Sequence, residues 1–329
     1  MANSSFQYTR LFELPDPLPP SNWIVIRLDG RSFSKFTAKH HFAKPNDTRA
    51  LKLMNACAVE VLKAFTDIVL AYGQSDEYSF VLHENTTLFD RRSAKLATSL
   101  ATAFTAEFCM QWPEYFPDSA LTRPYPTFDG RCVAYPKKGV LRDYLSWRQA
   151  DCHVNNLYNT TFWNLVLKGG RSQTVAEEEL KGTLSKDKNE ILWSLFGINY
   201  NNEEKVFKKG TVVYRALDEE TPLRRATTDG LVEDLQTANS GGATNTGVAN
   251  IEPSNSAPDS NPTSEQSQSR SQPPAQTSRT NRPANPQSKT QQEKARKRKQ
   301  KARIAVEHVD IIGDAFWEAR PYLLGDCGE

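Results

Sequence analysis

At 329 residues the chain is long enough for one large core or two modest ones. Its formal net charge of +2 rules out a uniformly basic or acidic surface as the basis of function, so any nucleic-acid surface must come from local clusters of Lys and Arg. Five cysteines (Cys57, Cys109, Cys132, Cys152 and Cys327) without a Cys-x-x-Cys pair argue against a disulfide framework or a zinc site, and no apolar run approaches the ~20 residues of a membrane span, so the expectation is a soluble, non-secreted protein with reduced thiols.

Residues 6–22 form a short lead-in whose second half is crowded with Pro15, Pro17, Pro19 and Pro20, and it is expected along the surface. Residues 23–28, Trp-Ile-Val-Ile-Arg-Leu, read as a buried strand. Asp29-Gly30-Arg31 ends it, and Gly30, without a Cβ, lets the backbone turn so that its carbonyl oxygen stands beside the Asp29 carboxylate. Over 46–65, Leu51, Met54, Ala58, Val61 and Phe65 recur at three- and four-residue steps and predict an amphipathic helix. Residues 68–72 and 77–82 then read as a hairpin with Asp76 at its tip.

A right-handed β-α-β-β order brings the end of the first strand beside the hairpin turn, where Asp29 and Asp76 meet. Two carboxylates and one carbonyl suit Mg²⁺, which takes few protein ligands and fills its remaining positions with water and phosphate oxygens. The alternative is that Asp29-Gly30 and Asp76 are ordinary turn residues. The stretch His40, His41, Lys44, Asp47 and Arg49 lies near a helix start, where backbone N–H groups favour phosphate; Lys44 reads either as a phosphate contact or as a solvated loop lysine, and Asn46 or Asp47 as an N-cap.

A second helix is read over 91–112, with Arg91, Arg92 and Lys95 at its start as an RNA or triphosphate contact or simply a solvated face. A strand over 128–135 completes β-α-β-β-α-β, an α+β, ferredoxin-like palm of the kind shared by many polymerases and nucleotide cyclases, its sheet covered on one face by two helices. Asp129-Gly130-Arg131 precedes its strand whereas Asp29 follows one, which is expected to put Asp129 at the opposite end of the sheet and outside the ligand set.

Residues 140–196 read as mostly helical. The amide cluster around His153, Asn155, Asn156, Tyr158 and Asn159 points to RNA or triphosphate recognition, because Asn offers donors and an acceptor while His or Tyr stacks on a splayed base; a core role for His153 is the alternative. Lys186, Lys188, Asn189 and Glu190 begin another helix, and 209–215 reads as a final strand. From 235 to 303 there is no aromatic residue and polar residues dominate, so this insertion is expected to be disordered; its basic end, 294–303, reads as nuclear import, loose RNA attraction or a solubilising linker.

Five segments in order, Arg27-Leu28-Asp29-Gly30-Arg31, Lys44-Pro45-Asn46-Asp47, residues 72–80 (YGQSDEYSF), residues 151–159 (DCHVNNLYN) and Lys186-Asp187-Lys188-Asn189-Glu190, resemble the eukaryotic tRNA-histidine guanylyltransferase family, and the match resumes at residues 308–317. Val154 stands where the family often has Ile. The resemblance implies an enzyme that adds guanylate to the 5′ end of histidine tRNA. ATP would adenylylate the 5′ monophosphate, the GTP 3′-hydroxyl would displace AMP, and pyrophosphate would be removed. It implies Asp29, Asp76 and the Gly30 carbonyl as ligands of two Mg²⁺ ions. It further implies Arg31, Ser32, Phe33, Ser34, Lys44, Asp47 and Ser75 beside the nucleotide, with Glu77 less certain because successive strand side chains alternate in face. Arg92, Lys95, His153, Asn155, Asn156, Lys188 and Asn189 become tRNA or triphosphate contacts, and the helical half a reader of the tRNA that includes its anticodon.

On this reading the chain divides into a palm (1–136), a helical tRNA-recognition half with a final strand (137–233), the insertion (234–303) and a C-terminal docking segment (304–329). The family suggests a homotetramer, and the protein is expected in the cytoplasm, the nucleus or both. A template-dependent 3′-to-5′ repair polymerase, a nucleotide cyclase and a catalytically idle RNA-binding protein are the rival readings; the Asn-rich helical half argues against the cyclase and the presence of both aspartates against the idle protein.

Overall fold

Alternating apolar side chains organise the molecule around one sheet. In the computed structural model, which describes residues 5–216 and 302–325, the first strand β1 (Trp23–Gly30) sends Ile24, Ile26 and Leu28 to one face and Trp23 and Val25 to the other, and all five are fully buried. The other strands are β2 (Ile68–Gln74), β3 (Glu77–Leu82), β4 (Phe128–Tyr135), β5 (Thr211–Arg215) and β6 (Ile304–Glu307). They pair antiparallel throughout in the order β4-β1-β3-β2-β5-β6. The first four in this order are the ferredoxin-like palm, confirming the expected β-α-β-β-α-β unit.

One face is covered by α1 (Phe33–Lys39), α2 (Thr48–Ala64) and α3 (Ser93–Tyr115). Their apolar stripes, Leu53, Met54, Cys57, Val61 and Leu62 from α2 with Leu96, Leu100, Phe104, Phe108 and Trp112 from α3, pack on Ile26, Leu28, Phe80 and Leu82. The helix α1 was not expected: seven residues with only Phe33 and Phe36 buried carry too little period to be read. The opposite face is covered by the first turns of α4 (Lys138–Leu167), through Leu141, Tyr144 and Leu145, and by the C-terminal segment, through Ile311, Phe316 and Trp317. That segment contains the short helix α8 (Ala315–Glu318).

Of the rest of the helical half, α5 (Gln173–Leu180) and α6 (Ser185–Phe196) pack on the distal part of α4 through two small cores around Phe162 and Leu165 and around Leu157, Leu192 and Tyr200, and α7 (Lys205–Lys209) meets α4 where the Cys152 thiol donates to the Phe207 carbonyl at 3.4 Å. Buried Gln149 joins α4 to two distant segments: its amide donates to the carbonyls of Lys209 (2.8 Å) and Val309 (2.9 Å) and accepts from Ile311 N–H (2.8 Å). Strand β6 was not anticipated, because its four residues follow the basic run directly and its pairing partner β5 lies some 90 positions upstream. Apart from its last two residues, the 234–303 insertion lies outside the described residues.

Candidate active site

Two chain reversals build the site at one end of the sheet. Strand β1 delivers Asp29 and Gly30, and the β2–β3 hairpin delivers Ser75 and Asp76 beside them, so that the Gly30 N–H donates to the Asp76 carbonyl at 3.1 Å. Ser75 turns the hairpin with φ of 49°, a left-handed conformation rarely adopted outside glycine, and its hydroxyl donates to Asp76 Oδ1 at 3.0 Å. Burial pushes the Asp76 carboxyl above the usual carboxylate range, and the nearby Asp29 charge pushes the same way. A desolvated carboxylate beside a second one is an arrangement that a cation relieves.

Asp29 faces two further acids across the ladder. Its register partners are Glu77 on β3 and Asp129 on β4. This corrects the expectation for Asp129: in an antiparallel pair the start of one strand stands beside the end of the other, so Asp129 is at the same end of the sheet as Asp29. Its side chain is 53 % exposed and pairs with Arg131 at 2.5 Å. Glu77 points to the α4 side, with Oε1 3.1 Å from Arg148 Nε and Oε2 3.8 Å from Arg27 Nε; burial raises its carboxyl while the two guanidiniums oppose the rise. Arg27 and Arg148 were not singled out from sequence. An Arg two residues before the strand-end Asp was the available signal for Arg27, whereas Arg148 reaches the site only through the packing of α4.

Beside these acids opens a cavity of about 690 Å³ between the β1 and β4 ends and α3. Ala97, Thr98, Ala101 and Thr102 line its helical wall, and Gly130 lies so near that a Cβ there would stand 3.1 Å from the Ala97 carbonyl oxygen. Small side chains on one helix face leave this space open. It also takes in Asp29, Gly30 and Arg31, and the Arg31 N–H donates to the Thr127 carbonyl at 2.9 Å.

The residues present fit a hard divalent cation. All donors are oxygens, and the absent Cβ of Gly30 is what makes room for Asp76, since a methyl there would stand 2.7 Å from its Oδ2. Among the described residues no group of three or more His, Cys, Asp or Glu is gathered to hold a metal. Two carboxylates and a backbone carbonyl would be the sparse protein contribution that Mg²⁺ accepts when phosphate and water complete its shell.

The remaining sequence-derived residues separate into open and engaged groups. Ser32 precedes α1 with φ of 53°, Ser34 is exposed, and the Phe33 ring is buried against Phe36, Phe108 and Phe128. Lys44 is exposed, with its ammonium 5.3 Å from the Trp163 ring centre. Asp47 is the N-cap of α2. One oxygen accepts from the Arg49 backbone and Nε and the other from Ala43 N–H and the Arg49 guanidinium, so both are already engaged.

At the start of α3, Arg92 is held by Glu13 (2.6 Å) and Asp16 (3.2 Å) of the lead-in, while Lys95 is exposed. Arg91, read with them as a surface cation, is buried and donates to the carbonyls of Leu18, Pro19, Asn22, Glu84 and Thr86. On α4, His153 and Asn155 are exposed. Asn156 is buried, accepting from Asn46 (2.8 Å) and donating to the Tyr200 hydroxyl (2.9 Å). Lys188 donates to the Thr183 carbonyl and hydroxyl at 2.7 and 2.8 Å, whereas Asn189 lines an open groove with Lys186 and Trp193. Arg92, Asn156 and Lys188 are thus engaged within the chain; Asn155 and Asn189 each donate once within their own helix, to Asp151 Oδ2 (3.0 Å) and the Ser185 carbonyl (2.9 Å), and stay exposed to solvent with Lys95 and His153.

Residues 6–136 match the family described as tRNAHis guanylyltransferase, and residues 139–313 match its C-terminal domain. The chain belongs to the tRNA(His) guanylyltransferase family. The chain is 49 % identical to the tRNA(His) guanylyltransferase of Neurospora crassa over 325 residues, covering 98 % of this chain and 96 % of that one. The crystal structure of the Saccharomyces cerevisiae tRNA(His) guanylyltransferase superposes with a TM-score of 0.61 at 52 % identity, covering 64 % of this chain and 93 % of that chain. A bacterial member-like protein solved in complex with ATP shares the fold, with a TM-score of 0.52 at 24 % identity. Members of this family are nucleotidyltransferases, and the palm described above is the fold they share.

Proposed function

We propose that this protein transfers guanylate from GTP to the 5′ end of histidine tRNA. The observation that carries the reading is the contact of the Asp29-Gly30 strand end with the Asp76 hairpin tip in a palm that belongs to this family. In the first step the 5′ monophosphate oxygen of the tRNA attacks the α-phosphorus of ATP and pyrophosphate leaves. In the second, the GTP 3′-hydroxyl attacks the activated 5′ phosphorus and AMP leaves. Hydrolytic removal of pyrophosphate from the new end completes the sequence.

The residues divide these tasks. Asp29, Asp76 and the Gly30 carbonyl would hold two Mg²⁺ ions. When bound, these supply Lewis acidity that lowers the pKa of the attacking hydroxyl and neutralises triphosphate charge. Ser75 orients Asp76 through its hydroxyl. Arg31, Lys44 and the backbone N–H groups of Ser32, Phe33 and Ser34 face phosphate oxygens, and the cavity beside α3 accommodates a nucleotide. Lys95, His153, Asn155 and Asn189 contact the RNA, and exposed Trp193 beside Lys186 and Asn189 offers a flat surface on which a splayed base stacks.

A homotetramer is the assembly this reading includes. The lead-in leaves Leu11 84 % and Leu14 83 % exposed, with Tyr8 and Phe12 beside them, an apolar strip suited to burial against another subunit. The basic run 294–303 supports a nuclear as well as a cytoplasmic location, and among the described residues no helix is long and apolar enough to cross a membrane.

The test is incorporation of labelled GTP into 5′-monophosphorylated histidine tRNA with Mg²⁺, with and without ATP, and with another tRNA as control. ATP-dependent 5′ labelling of histidine tRNA alone is the expected result. Equal labelling of truncated tRNAs of any identity would favour a templated repair polymerase, and bound GTP without labelling would overturn the transferase reading.

A further inference from the structure

We propose that Arg148 is a positioning residue that holds the Asp76 turn against α4, an inference that rests on the transferase reading of that turn. The turn Gln74-Ser75-Asp76-Glu77 has both shoulders tied to one face of the helix. Glu77 Oε1 lies 3.1 Å from Arg148 Nε, and the amide of Gln74 donates to Asp151 Oδ2 at 3.4 Å. Arg148 closes the bracket by donating through its terminal nitrogen to the same Asp151 oxygen, one helical turn further on. Asn155, a turn beyond, donates to that oxygen as well at 3.0 Å.

Arg148 has little freedom to leave this place. It is 5 % exposed, and its guanidinium lies 4.0 Å from the centre of the Trp147 ring. The Arg148 Nε–H is not aimed at Glu77 Oε1, so charge holds the pair without an aligned hydrogen bond and that buried oxygen keeps its lone pairs unused. Glu77 is therefore drawn to a fixed distance from the helix by charge, with Oε1 held on the α4 side.

A bracket is needed because the turn is held against its own preference. Ser75 sits at positive φ and Asp76 is desolvated beside Asp29, and both effects favour opening the hairpin tip toward water. Arg148 and Asp151 oppose that opening from outside the hairpin. The helix that does so also carries His153 and Asn155, so the acids of the palm are positioned by the element that presents the amide cluster to RNA.

Hydrogen–deuterium exchange and steady-state transfer kinetics on the full chain test this together. Arg148→Gln is expected to speed exchange of the amides at 75–77 at least tenfold while those of β1 and α2 stay within twofold. It is expected to lower kcat at least thirtyfold with KM for tRNA within threefold, and Arg148→Lys to fall between in both readouts. If Arg148→Gln does not fold, Asp151→Asn, which keeps the Glu77 ion pair, is expected to speed the same amides about threefold. Unchanged exchange at the turn, uniform acceleration across the sheet, or a raised tRNA KM at unchanged kcat would each overturn the proposal. The exchange result stands even if the wild-type chain transfers no guanylate, so failure of the transferase reading is read separately.

Discussion

Gly30 and Asp76 are packed so closely that no side chain fits between them: a Cβ on Gly30 would stand 2.7 Å from Asp76 Oδ2 and 2.5 Å from the Phe33 ring. The ring cannot retreat, because it is buried against Phe108 and Phe128. Gly30→Ala must therefore displace Asp76. The expected cost is about 1–3 kcal/mol in stability from overpacking and roughly 100-fold in transfer from misplacing the acid. Thermal melts and single-turnover assays of the variant measure the two; transfer within threefold of wild type would show that Asp76 moves without consequence.

Asp29, Asp76 and Asp129, three of the four acids at this end of the sheet, are not equivalent. Asp29→Ala and Asp76→Ala are expected to leave a folded protein with transfer reduced roughly 1,000-fold or more, the several kcal/mol that oxygen ligands of a metal-assisted reaction supply. Asp129 stands across from Asp29 but is half exposed and paired with Arg131, where a charge is worth about 1 kcal/mol at most. Asp129→Ala should then cost no more than about fivefold. A loss from Asp129→Ala as deep as that from Asp29→Ala would make it a third ligand.

Asp47 is expected to act on stability more than on the nucleotide. Burial raises its carboxyl, but hydrogen bonds from the Arg49 side chain and from the Ala43 and Arg49 backbone outweigh this and hold it below the usual carboxylate range. A depressed carboxyl stabilises above its unfolded pKa of about 3.9, and that contribution is lost as pH falls through the lower folded value. Asp47→Ala should accordingly lose about 1–2 kcal/mol at pH 7, with the gap to wild type narrowing below about pH 4. KM for GTP should stay within threefold; a tenfold rise would place Asp47 on the nucleotide.

Arg91 joins the lead-in to the start of α3. Its buried guanidinium satisfies five carbonyls from two segments, the lead-in and the stretch after β3, and Arg91→Ala leaves them without that donor. The expected loss is about 3 kcal/mol, or roughly 6–12 °C in Tm for a domain of this size. Arg91→Lys should recover less than half, because an ammonium has only three donors and no fork. A melting temperature within 1 °C of wild type for Arg91→Ala would contradict the assignment.

Much of this could be read along the chain. β1 and the hairpin followed from runs of β-branched and aromatic residues, α2 from the steps between Leu51 and Phe65, and the meeting of Asp29 with Asp76 from the handedness of the crossover, because each depends on near neighbours or on a rule of chain connection. That Asp29, Gly30, Ser75 and Asp76 lie together at one end of the sheet was legible for the same reason.

Long-range packing decided the rest. Arg91 and Arg92 look alike in a basic run, yet one is buried among carbonyls and the other bridges Glu13 and Asp16 at the surface. Asn155 and Asn156 are adjacent amides, yet only Asn156 turns inward to Asn46 and Tyr200. Asp129 needed the antiparallel register with β1 to be placed, and Arg148 needed the seating of α4 on the sheet. Local sequence determines which polar groups can bond and which backbone turns are possible. Which of those groups stays free for a ligand depends on partners from distant segments, because a polar group taken out of water must find a partner wherever the fold supplies one.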